Sequence, residues 1–118
     1  MNSQLNIVKV GNNYQPRFYA ITPLRLYALE PILSVFFKDQ PVRRAYLFGS
    51  FVRGENNSES DLDILVELEP GTGLFKFISI QHQLQIALKM HIDLVSANGL
   101  SPGIKPYIDS EKILVYEK

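Results

Sequence analysis

The sequence predicts an α/β (α+β) chain, a small mixed sheet flanked by helices. Two observations carry this. The segment 61–68, "DLDILVEL", alternates strictly: Leu62, Ile64, Val66 and Leu68 point to one side, while Asp61, Asp63, Leu65 and Glu67 point to the other. Residues 74–90, "LFKFISIQHQLQIALKM", are long enough for a helix and carry no Pro or Gly. Strand-length and helix-length segments then alternate along the chain, which implies helices packed on a sheet.

Taken in order, "LNIVKV" suits a short strand and "GNNYQP" reads as turn chemistry. Thr22 and Pro23 make a helix start, Thr as the cap and Pro at the first helical position. Leu26, Leu29, Leu33 and Phe36/Phe37 continue at helical spacing, with Pro31 either kinking the helix or restarting it. "KDQP" ends it. "RRAYLFGS" reads as a buried strand running into a Gly-Ser turn, "FVRGE" as one helical turn, and "ENNSES" as a polar spacer. "PGTG" separates the alternating strand from the long helix. "HIDLVSA" is a third strand, "NGLSPGIKPYIDSE" a loop with a helical turn, and "KILVYEK" a final strand.

On a helical wheel the long helix has one apolar stripe of Leu74, Phe77, Ile78, Leu84 and Leu88. A second group, Phe75, Ile86 and Met90, falls roughly opposite. Two arrangements account for this: a helix pinched between the sheet and another element, or an exposed patch that docks a partner.

The chain has 118 residues, which fits a single domain over 1–118 with residues 1–21 as an N-terminal extension. It has no cysteine, which excludes disulfides and thiolate metal sites and fits a reducing compartment. Twelve basic and twelve acidic residues balance, so direct nucleic-acid binding is not expected. The N-terminal stretch has no long apolar run, so no membrane span is expected and the cytoplasm is the default location.

Chemistry concentrates between Gly49 and Asp93. Asp61 and Asp63 project to one side of their strand, and Asp93 stands at the head of another. If those strands are neighbours, the three carboxylates converge and raise one another's pKa values. A hard divalent cation such as Mg²⁺ relieves that repulsion, since it takes oxygen ligands and keeps positions open for phosphate. Two such ions about 4 Å apart suit phosphoryl or nucleotidyl transfer. Upstream, Gly49 permits a tight turn and close approach of a phosphate, and Ser50 brings a hydroxyl and the start of a helical turn. Arg53 adds a planar charged fork. Taken singly, a Gly-Ser turn, an Asp-x-Asp pair and a surface arginine are all commonplace. Together, Gly, Ser, Asp and Asp at four fixed positions arise by chance at roughly one start position in 10⁵.

This constellation resembles the nucleotidyltransferase superfamily that includes DNA polymerase β, and more closely the minimal nucleotidyltransferase (MNT) proteins. Their pattern is Gly-Ser, ten residues, Asp-x-Asp; here it is Gly49-Ser50, residues 51–60, Asp61-Leu62-Asp63. The resemblance extends over about residues 24–118. It implies the nucleotidyltransferase fold, with Asp61, Asp63 and Asp93 as catalytic carboxylates and metal ligands for Mg²⁺, two ions being expected. Asp93 would also be the general base. Gly49, Ser50 and, by the "GSxxRG" form, Arg53 would grip the phosphates of ATP. MNT proteins are typically antitoxins paired with a HEPN-domain ribonuclease toxin, onto a tyrosine hydroxyl of which they transfer AMP. Bulk and negative charge beside a ribonuclease centre would block it. Two other readings stand beside this one: a non-catalytic antitoxin that masks its partner through Phe75 and Ile86, and an adenylyltransferase for a small molecule of aminoglycoside type.

Of the remaining residues, His82 is expected to be exposed, and His91 shares a face with Asp93 if the strand is regular. Tyr107 and Tyr116 either pack against the core or line the base pocket. Two histidines without cysteine do not suit structural zinc.

Overall fold

The computed structural model describes residues 7–10, 13–16, 23–57 and 59–118, and the side chains of those from residue 28 onward. Two strands, β1 (Ile7–Val10) and β2 (Asn13–Pro16), pair antiparallel as a separate hairpin. The expected turn "GNNYQP" is thus largely strand, because Asn13–Pro16 finds a partner in β1; residues 11–12 lie outside the described residues. The proposed cap Thr22 also lies outside them.

Helix α1 (Pro23–Lys38) runs through Pro31 as one element. Pro31 is exposed, and its missing N–H leaves one helical hydrogen bond unmade without breaking the helix. Leu33 and Phe37 are fully buried and Leu29 and Phe36 half-buried, as the spacing requires; the side chain of Leu26 lies outside the described residues.

Next come β3 (Val42–Phe48), the single turn α2 (Ser50–Arg53), β4 (Leu62–Leu68), α3 (Leu74–Leu88), β5 (Ile92–Ser96), α4 (Lys105–Glu111) and β6 (Ile113–Glu117). Residues 105–111 extend the single helical turn expected there to seven residues. The four-stranded sheet has the order β5-β4-β3-β6, with β4 and β5 parallel and the other pairs antiparallel.

The two faces of the sheet differ. On one, Ala45, Leu47, Ile64, Val66, Leu94, Ile113 and Val115 pack with Leu33 and Phe37 of α1 and Ile80 and Leu84 of α3. Full burial of each large apolar side chain stabilises by about 1.5–3 kcal/mol. On the other, a smaller cluster of Tyr46, Leu65 and Leu114 is covered by Ile108 of α4, with Phe48, Val95 and Leu100 half-buried against it. The alternation of β4 decides which side chains reach which face.

The buried stripe of α3 differs from the expected one. It runs through Phe77, Ile80, Leu84 and Leu88, while Leu74 and Ile78 are exposed. Phe75 and Ile86 are exposed too, at 87% and 65%. Met90 leaves this group: the helix ends at Leu88, Lys89 turns left-handed at φ 54°, and Met90 packs against the core. Among the described residues no helix is long and apolar enough to cross a membrane.

Candidate active site

Asp63 and Asp93 face each other because β4 and β5 are parallel and in register, Leu62 with Ile92 and Asp63 with Asp93. Both lie on the face that α4 covers only in part. Asp61 precedes β4, exposed, and its charge also reaches Asp63. Burial, then the Asp93 charge and hydrogen bond, then the Asp61 charge push Asp63 up to about 6, opposed by the Ser50 amide that donates to it. Among the described residues no Lys, Arg or His forms an ion pair with Asp61, Asp63 or Asp93.

So Asp63 and Asp93 are brought opposite each other, while Asp61 acts on Asp63 through its charge. Three carboxylates do not close into a ready-made metal cage: among the described residues no group of three or more His, Asp or Glu stands at ligand spacing. The donor chemistry still suits a hard cation. All three groups are oxygen donors, and a half-buried carboxyl held near 6 by its neighbours is the group a divalent charge would relieve.

Gly49 has a sharper reason than phosphate approach alone. It adopts φ 80°, ψ −155°, backbone open essentially to glycine. A Cβ there would lie 1.9 Å from Asp63 Oδ2. The missing side chain makes room for the Asp63 carboxyl against the turn. The Gly49 carbonyl then accepts from the amides of Val52 and Arg53 at 3.1 and 3.2 Å, starting α2. Gly54, left-handed at φ 73°, ends it. Arg53 donates from Nε to Glu55 and from Nη1 to Glu111.

Two devices escaped the sequence. The first fixes the strand that carries Asp93. Gln81 Nε2 donates to the Ile92 carbonyl at 2.8 Å, and the Ile92 amide donates to Gln85 Oε1 at 3.2 Å. An edge strand has unpaired backbone groups, and these glutamines satisfy the pair next to Asp93. Their i, i+4 spacing just before a strand was the available signal. The second is the "ENNSES" loop, which is more than a spacer. Asn57 accepts from the Glu59 amide at 2.8 Å, and Ser60 Oγ accepts from the Asn57 amide at 2.8 Å. These side-chain turns set the approach to Asp61.

His82 is exposed, as expected. His91, also exposed, lines a groove with Asn57, Ser60 and Lys89 beside the loop. Tyr116 packs toward the core, its ring 5.8 Å from that of Phe37, on the side away from the aspartates. Tyr107 stands 75% exposed on α4.

Comparison with known proteins places this fold in a family. The family model for polymerase β nucleotidyltransferases matches residues 30–118. The protein adenylyltransferase MntA of Thermococcus cleftensis is 38% identical over 96 residues, spanning 78% of this chain and 97% of that protein. Among solved structures, a chain from a toxin–antitoxin crystal structure with AMP-PNP superposes with a TM-score of 0.67 at 22% identity, covering 75% of this chain and 73% of that one. A chain from the complex of a tri-AMPylated Shewanella oneidensis HEPN toxin with its MNT antitoxin gives 0.61 at 20% identity, covering 79% and 73%. At those identities the likeness is one of fold. With the family match spanning most of the sequence and the in-register aspartates behind a Gly-Ser turn, the chain belongs to the polymerase β nucleotidyltransferase family.

Proposed function

We propose that this chain is an antitoxin that transfers AMP from ATP to a tyrosine hydroxyl of a HEPN ribonuclease toxin and so neutralises it. The observation that carries the reading is the pairing of Asp63 with Asp93 behind a turn that only glycine can make. The identity to an adenylyltransferase supports the reaction type.

In this reading the acceptor oxygen attacks the α-phosphorus of ATP. A new O–P bond forms, the bond to the β-phosphate bridging oxygen breaks, and pyrophosphate leaves. Asp93, exposed at the head of β5, takes the hydroxyl proton. The Gly49–Ser50 turn and Arg53 orient the phosphates. Asp61, Asp63 and Asp93 would hold Mg²⁺, two ions being the expectation, which supplies charge neutralisation at the phosphates. The exposed face of Leu74, Phe75, Ile78 and Ile86 is the surface offered to the toxin.

The test is incubation with ATP labelled in its α-phosphate, Mg²⁺ and the HEPN protein encoded beside this chain. Label should move to a partner tyrosine and be lost with Asp61→Asn plus Asp63→Asn. The exposed α3 face favours a second reading, neutralisation by masking alone. In that case the wild type transfers nothing, the double variant neutralises fully, and Phe75→Glu with Ile86→Glu abolishes the complex.

A further inference from the structure

Glu111, the last residue of α4, lies 62 positions from the Gly-Ser turn yet is bonded to both Gly49 and Arg53. Its Oε2 accepts from the Gly49 amide at 2.5 Å. Its two oxygens accept from Arg53 Nη1 at 2.9 and 3.0 Å. Its side chain is 15% exposed, against 43% for Arg53.

Strand register explains the contact. The last pair between β3 and β6 is Leu47 with Ile113. Two residues further in each direction, Gly49 would stand opposite Glu111. There the chain is already helical, so no strand carbonyl is presented to the Gly49 amide. The Glu111 carboxylate takes that place, and a charged acceptor makes the stronger bond.

We propose that Glu111 is a positioning residue for the nucleotide: it holds the Gly49 amide and the Arg53 guanidinium in the arrangement that receives the triphosphate. This rests on the nucleotidyltransferase reading above. Glu111 acts through the turn, and its hydrogen bonds go to Gly49 and Arg53 of the "GSxxRG" segment. The bonds to Glu55 and Glu111 use Nε and Nη1 of Arg53, and neither uses Nη2, which is left for a phosphate oxygen. An arginine already fixed in one rotamer loses less entropy when the anion arrives. The enclosed position of Glu111 suits a brace better than a flap that ATP must displace.

The experiment measures AMP transfer and, separately, ATP affinity by calorimetry for wild type, Glu111→Ala, Glu111→Gln, Arg53→Met and the double variant Arg53→Met/Glu111→Ala. For Glu111→Ala the KM and the dissociation constant for ATP should rise about tenfold, with kcat changed less than about threefold, because binding common to ground and transition states is lost. Glu111→Gln keeps an acceptor for the Gly49 amide and should fall between wild type and Ala, and it serves as the folded comparison if Ala destabilises the chain. In the Arg53→Met background, loss of Glu111 should raise KM much less than it does alone. Unchanged or tighter ATP binding in Glu111→Ala and Glu111→Gln overturns the inference while leaving the transfer reaction standing. A wild type that neither binds ATP nor transfers AMP overturns the reaction, and this inference with it.

Discussion

The two ends of β4 carry acids in the same alternation and treat them oppositely. At the C-terminal end, Glu67 accepts from Arg44 at 3.0 Å and from the Tyr46 hydroxyl at 2.9 Å. Arg44 also pairs with Glu117, and Lys118 pairs with Glu69. Each of these carboxylates has a cation supplied by the chain. At the N-terminal end, Asp63 faces Asp93 across the β4–β5 register and feels the charge of Asp61. The pKa shifts reflect this. Arg44 is raised, its charge stabilised by Glu117 and Glu67, whereas Asp63 is raised, its charge disfavoured. An end whose acids, among the described residues, pair with no cation, on the less covered face, is arranged to receive one from outside.

The comparison can be broken at either end. The largest effect is expected at Asp63. Asp63→Asn should lower AMP transfer on the order of 10³-fold or more, measured as label on the partner, because in the proposed mechanism metal and phosphate positioning would be lost together. Gly49→Ala comes next. Its Cβ collides with the Asp63 carboxyl and its backbone is strained, so transfer should fall about 10²-fold and stability by about 2 kcal/mol in denaturant unfolding. Smaller again is the double change Gln81→Ala, Gln85→Ala. It frees the Ile92 backbone and lets Asp93 drift, so kcat should fall by roughly tenfold or less while urea unfolding shows a loss of about 1 kcal/mol. Tyr46→Phe, at the compensated end, sharpens the contrast. It removes the hydrogen bond to Glu67 and should cost about 1 kcal/mol or less with transfer unchanged.

Much of this was legible in the sequence, for identifiable reasons. A period of two over 61–68 forced Asp63, Leu65 and Glu67 onto one face, and that face carries the candidate site. Gly49-Ser50 and the Asp-x-Asp pair are local patterns, readable at fixed spacing. The Asp63–Asp93 pairing was conditional on strand adjacency, which depends on topology. Glu111 was out of reach because only the β3–β6 register brings it to Gly49. The buried side of α3 was misjudged because five apolar residues, Leu74, Phe75, Ile78, Ile86 and Met90, blur its stripe. Ile80 and Leu84, which β4 and β5 select by packing, define it. Residues 13–16 read as turn because Asn and Pro dominate them, and pairing with β1 overrode that propensity.

The measurement closest to the central claim is thermal unfolding against Mg²⁺ concentration, for wild type and Asp63→Asn. The sign of the Asp63 contribution follows from its shift. The folded chain keeps this proton up to about 6, while an ordinary carboxyl releases it near 3.8. Between those values the folded state binds more protons, so this contribution is most favourable below about pH 4 and is lost as pH rises through about 6. At pH 7.5 without metal, Asp63→Asn should therefore melt a few degrees higher than wild type. That is about 1 kcal/mol after allowing for the exposed half of the group. Mg²⁺ should raise the wild-type melting temperature saturably and leave Asp63→Asn nearly unchanged. Equal melting without metal, together with an equal response to Mg²⁺, would contradict the account.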